Sequence, residues 1–237
     1  MTWQGLMASV VHRALDGAEA TFQSSLPLDR PFTSVVNVRM HEHLQEFTAG
    51  ARSLGRAVAA DHGIAHFDET YSFQGGRLSL GEVDIYDPGL KLVATFRLAV
   101  WEGERFSIHT HVYDQESSDL LRILRRFIFV EDETGVAIQP KDRGRTPFDD
   151  SASILKEIPG LGLLEVTGRT AATSVGLPAW RGTRTAGGEL FRDTVDNRQD
   201  YFVLVSPEMK ATIVPDPDFD PTTILPHLDE LKVRWRA

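Results

Sequence analysis

Between Ile64 and Asp114 apolar and polar residues alternate in four runs, cut by turn signals at Gln74-Gly75-Gly76, Asp87-Pro88-Gly89 and Glu102-Gly103. A period of two marks half-buried strands, so the stretch predicts an antiparallel β-meander. In its last hairpin, facing residues must share one side of the sheet, which pairs Val100 with Glu104. Trp101, Glu102 and Gly103 then form the loop, with the glycine in a left-handed conformation. This register sets His109 opposite Thr95 and His111 opposite Val93, on a mixed second face with Ser107, Tyr113, Lys91 and Arg97. The inward pattern Leu78, Leu80 resumes at Val83 and Ile85, a phase slip that predicts a β-bulge at Gly81-Glu82.

Flanking segments carry the helical period. Trp3, Leu6, Met7, Val10, Val11, Ala14, Leu15, Ala18 and Phe22 form one stripe and predict an N-terminal amphipathic helix, with Asp16-Gly17 inside it. Thr33–Met40 is β-branched and predicts a strand. Leu44, Phe47, Ala51, Leu54 and Val58 predict a second helix stopped by Gly63, its first turn holding the polar cluster His41, Glu42, His43 and Glu46. A helix from Ser117, the expected N-cap, ends in Arg122, Arg125 and Arg126, and a hairpin follows over Phe127–Val130 and Val136–Ile138. The three arginines can bind an anion, but the acidic turn Glu131-Asp132-Glu133 beside them is the expected partner.

Downstream, Ser151–Ile158 predicts a short helix, and strands are expected at Leu163–Thr167, Glu189–Val195, Tyr201–Val205 and Met209–Val214. Ala171–Gly188 reads as an exposed loop and Val214–Pro221 as a rigid connector. A C-terminal helix opened by Pro226 presents Leu228, Leu231 and Trp235, with Glu230 and Arg234 spaced to pair. The predicted fold is therefore α+β: an antiparallel meander with helices packed on one face and amphipathic helices at both ends. Residues 1–237 are expected to form a single domain, with any subdivision near the charged, glycine- and proline-broken stretch at 141–150.

Composition narrows the function. With 34 acidic against 25 basic residues the net charge is −9, which disfavours nucleic acid and anionic lipid. The absence of cysteine excludes disulfides, thiolate nucleophiles and cysteine-bound metals. The first residues lack the pattern of a membrane span or a signal peptide, and a cytoplasmic protein with an Ala, Gly, Arg and Asp balance like that of a high-GC bacterial proteome is expected.

Two side chains suggest chemistry. His109 and His111 alternate on one strand and point the same way, as convergent metal ligands would. With Gly103 and Glu116 they resemble the first half of the cupin motif, which implies a divalent Fe, Mn, Ni or Zn held by His109, His111 and Glu116 in an enzyme acting on a small molecule. The resemblance stops there, because no histidine occurs between His111 and His227. Glu82 and Asp84 follow the carboxylate order of a restriction-type nuclease core, but Thr95-Phe96-Arg97 replaces its Glu-x-Lys dyad. No P-loop, GxGxxG or GxSxG is present. The expected function is a soluble protein that binds a small ligand or a protein partner without cofactor or catalytic machinery, through His109, His111, Tyr113, Arg97 and Lys91.

Overall fold

The computed structural model describes residues 7–40, 43–86, 91–113, 115–170, 177, 180–195, 199–216 and 221–237. In chain order the first elements are β1 (Ala8–Arg13), β2 (Glu19–Ser24), β3 (Phe32–Met40), β4 (His43–Ala51) and α1 (Leu54–Asp61). The meander follows as β5 (Glu69–Phe73), β6 (Gly76–Tyr86), β7 (Leu92–Glu102) and β8 (Phe106–Tyr113). Next come α2 (Ser117–Leu124), β9 (Phe127–Glu131), β10 (Val136–Pro140), β11 (Ser153–Ile158) and β12 (Gly162–Gly168). The remainder is β13 (Thr183–Thr185), β14 (Gly188–Val195), β15 (Gln199–Val205), β16 (Met209–Val214), α3 (Pro221–Glu230) and β17 (Lys232–Arg236).

With 57% strand and 12% helix, the protein is mostly antiparallel β, and the expected α+β class with amphipathic helices at both ends is overturned. It divides into two compact units: the described residues of Met1–Ala14, Ala18–Thr33 and Asp150–Ala237, and those of Leu15–Gly17 and Ser34–Asp149.

In the first unit β1 and β2 pair as a hairpin and β17 joins β2 on its other side. The expected N-terminal helix fails because Gly17 sits at φ +93°, closing a turn in which the Ala14 amide donates to Ala18 O (2.8 Å). Ala20, Phe22 and Ser24 are then buried at every second position. Trp3 and Leu6 of the expected stripe lie outside the described residues. At the other end Pro226 lies inside α3 rather than at its start, and Arg234 and Trp235 stand on β17, so the expected Glu230–Arg234 helical pair does not form. The unit's other strands run in the order β13-β14-β15-β16-β12-β11. The expected helix at 151–158 is strand β11, which buries Ile154, Lys156 and Ile158 in one row. A lysine in a core position hid the alternation.

In the second unit the strand order is β3-β4-β8-β7-β6-β5. The expected second helix splits, with Leu44, Phe47 and Ala51 on β4 and Leu54 and Val58 on α1, which Gly63 ends at φ +76°. Helices cover opposite faces, not one. On the first face the Gly55 amide of α1 donates to Ser107 Oγ (3.1 Å), and Ala59 packs with Phe96, Leu98 and Val100. On the second, Trp101 meets Phe129 (5.2 Å) and Phe47 meets Phe127 (5.1 Å), placing the β9–β10 hairpin there. α2 lies on this second side too, through Ser117 bonded to Arg97 and Glu69. Its N-cap is Glu116, not Ser117.

The double cover accounts for the apolar phase change in β6. Leu78 and Leu80 face the hairpin, whereas Val83 and Ile85 face the α1 side beside Ile64 and Phe67. Pairing runs without a break from Arg77↔Glu102 to Ile85↔Ala94, so no bulge occurs at Gly81, and the irregularity lies at Ile85/Tyr86. Gly81 is instead a contact point, since a Cβ there would lie 3.0 Å from Ile64 Cδ1. The expected turn at Asp87-Pro88-Gly89 lies outside the described residues.

Candidate functional site

The face occupied by the histidines follows from the β7–β8 register. Glu102 pairs with Ser107, Val100 with His109, Leu98 with His111 and Phe96 with Tyr113. Val100 thus faces His109 in place of the expected Glu104, an odd offset that moves every side chain of β8 to the other face. The loop is Gly103 to Arg105, two residues later than expected, and it is held from outside the hairpin. One Glu131 carboxylate accepts the amides of Glu104 (2.9 Å), Arg105 (2.6 Å) and Phe106 (2.9 Å). Gly103 is required here for space, not for a left-handed backbone, because its Cβ would fall 2.1 Å from Glu131 Oε2.

His109, His111 and Tyr113 therefore lie on the apolar α1 side with Val100, Leu98 and Phe96, not on a mixed face with Arg97 and Lys91. His109 is half-buried, and its Nδ1 is buried with no hydrogen-bond partner. Burial, helped by the charges of His111 and His62, pushes its pKa down to about 4, so the ring is neutral near pH 7. Phe96 meets the rings of His62 (5.0 Å), His111 (5.6 Å) and Tyr113 (5.9 Å), and His111 stands edge-on to Tyr113 (5.4 Å).

His111 and Tyr113 also reach open space. β4 and β8 pair only over Thr48–Ala51 and Phe106–His109, and beyond that point the ladder stops. Gln45 stands in its place: Nε2 donates to His111 O (2.8 Å) and Thr110 Oγ1 (2.5 Å), while Thr110 donates to Glu46 O (2.5 Å). The separated strand ends leave a recess of about 540 Å³, walled by His43, Leu44 and Glu46 on β4 and by His111, Tyr113 and Gln115 opposite. Leu44 and Tyr113 are 53% and 52% exposed, an apolar wall open to solvent beside two imidazoles and two amides.

The remaining expected site residues stand apart. Arg97 pairs with Val112, so its side chain leaves the opposite side of β7, where it bonds Ser117 Oγ (2.7 Å), ion-pairs with Glu82 and lies 3.7 Å from Glu116. A smaller cavity of about 240 Å³ lies there, bordered by Glu82, Thr95, Arg97 and Glu116. Glu116 is thus drawn to Arg97 and not to the histidines. Lys91 is exposed ahead of β7. Among the described residues no group of three or more His, Asp or Glu is placed to hold a metal ion.

The recess also takes in His43, Leu44, Gln45, Glu46 and Gln115, none of which the sequence marks as a site residue. Their signal was faint, because the polar start of β4 reads equally well as a helical first turn. No family model, no curated protein and no solved structure matches this chain. Among the described residues no helix is long and apolar enough to cross a membrane.

Proposed function

We propose that the protein binds a small molecule, flat and partly apolar with a few hydrogen-bonding groups, in the recess between the separated ends of β4 and β8. The recess itself carries this reading. Its volume lies in the range of small-molecule sites, roughly 300–1,000 Å³, and its lining combines an apolar wall with a few convergent polar groups. Leu44 and Tyr113 offer contact area to a planar ligand, while His111, Glu46 and Gln115 can fix its orientation. The reading requires no bond making or breaking.

Saturation-transfer NMR with indole, phenol, benzamide and imidazole as probes tests it. At least one probe is expected to bind the wild type and to weaken by about tenfold or more, about 1.4 kcal/mol, in Tyr113→Ala and His111→Ala. Silence from all four probes, or binding unchanged in both variants, overturns the reading.

A further inference from the structure

A further cavity lies in the same unit at the end of α2, and no histidine lines it. Its walls are set by two short segments. α2 is capped by Arg125 and followed by Arg126, and the Lys141 amide donates to Arg126 O (2.8 Å), which ties residues 141–146 to the helix end. That segment folds around Asp142. Its carbonyl accepts the amides of Arg145 (3.2 Å) and Thr146 (3.1 Å) and the Thr146 hydroxyl (2.7 Å), and its carboxylate accepts the Gly144 amide (3.0 Å). The resulting open cavity has a volume of about 520 Å³ and is lined by Arg126, Lys141, Asp142, Arg145 and Thr146.

The charge in this cavity is not balanced from within. Three cations meet one carboxylate, Asp142, which lies 3.6 Å from Arg145 Nε. The side chains of Arg126 and Lys141 have no carboxylate partner among the described residues. In the acidic turn expected to neutralise the arginines, Glu131 holds the β7–β8 loop and Asp132 caps Thr134 (2.7 Å). Of Arg122, Arg125 and Arg126, only Arg122 has an ion pair among the described residues, with Asp119 one turn back. Subtracting Asp142 from the three cations leaves two positive charges, the complement of a phosphomonoester, which carries about −1.5 to −2 near pH 7. A guanidinium suits phosphate oxygens through its paired N–H groups, and an ammonium adds a point charge.

We propose that this cavity binds a small phosphomonoester, with the phosphate held between Arg126 and Lys141 and against the Arg145 that Asp142 orients. The volume is several times that of a phosphate group, so the organic part is held as well, with the Asp142 carboxylate at hand to accept from its hydroxyls. A small ligand is favoured over a nucleic acid strand because the chain's net charge of −9 repels a polyanion extending beyond the patch.

The test is isothermal titration of the full chain at low ionic strength with ribose 5-phosphate, glucose 6-phosphate and AMP, against ribose and inorganic phosphate. At least one ester is expected to bind about tenfold or more tighter than both ribose and inorganic phosphate, and to lose about tenfold or more in Arg126→Gln/Lys141→Gln. Lys141→Gln alone should also weaken it. That side chain has no partner in the folded chain among the described residues, so its loss cannot be ascribed to misfolding. Arg122→Gln should leave binding unchanged. The proposal is overturned if no ester binds at about 10 mM, or if the Lys141 and double variants bind as the wild type does. It is equally overturned if inorganic phosphate alone matches the esters, which marks a bare ion site, or if a single-stranded oligonucleotide binds tighter than all three.

Discussion

Glu102 in the second unit and Lys156 in the first are both buried in β-strands, and the two are treated in opposite ways. In the second unit Glu102 is 3% exposed and is reached by two arginines, with Arg56 Nε 2.7 Å and Arg77 Nε 2.9 Å from its oxygens. Burial works to raise its pKa, but the hydrogen bonds and charges of Arg77 and Arg56 outweigh it and hold the carboxyl below its ordinary value. In the first unit Lys156 is fully buried and its amine donates to a backbone carbonyl, Arg30 O (2.7 Å). Burial pushes its pKa down to about 8, against a smaller opposing pull from Asp29. Beside it His12 stacks on Phe32 (4.0 Å) with its Nε2 buried and unbonded, and burial together with Lys156 drives its pKa down to about 3. One charge is satisfied, and the other is tolerated. Only the first stabilises its surroundings as a charge.

Substitutions can break or sharpen that contrast. Glu102→Leu should cost the most, about 3 kcal/mol in urea unfolding, because it removes the acceptor shared by Arg56 and Arg77. A loss below about 0.5 kcal/mol would place Glu102 in the same class as Lys156. Lys156→Met should act in the opposite direction, stabilising by about 1–2 kcal/mol at pH 7, since an apolar chain of similar shape removes the desolvation cost. The sign with pH is fixed by the folded value of about 8 lying below the ordinary 10.5. The lysine's cost is complete below pH 8 and fades as pH rises to 10.5, so the advantage of Met should fade over the same window. His12 gives an effect confined to acid pH. Its folded value of about 3 lies below 6.5, so stability is whole above pH 6.5 and falls on acidification towards pH 3. His12→Leu should flatten that slope by about 1 kcal/mol per pH unit between pH 6 and 4, as read from denaturant midpoints.

The meander was legible in sequence because its turns are local. Gln74-Gly75 takes positive φ at both residues, and the strands on either side alternate. Elements decided by distant partners were not. The β1–β2 hairpin shares its residues with a helical period, and it is settled by pairing with β17 at the far end of the chain. β11 was hidden by Lys156 occupying a core position, and β4 by apolar spacing that ran on into α1. Of the candidate site, His111 and Tyr113 were visible as a polar strand end. The recess was not, because it arises where β4 and β8 stop pairing, and nothing in either strand alone announces that.

The Glu131 clasp has a consequence for the order of folding. The three amides it accepts lie 25 to 27 residues earlier in the chain, so the β7–β8 register is not a local property of its turn. Loop closure must precede the contact that rewards it. Until β9 is in place the hairpin is free to slip, and an odd slip would carry the β8 histidines to the face of Arg97. The last hairpin of the meander, with the recess at its tip, is therefore expected to gain hydrogen-exchange protection during refolding only once β9 has docked.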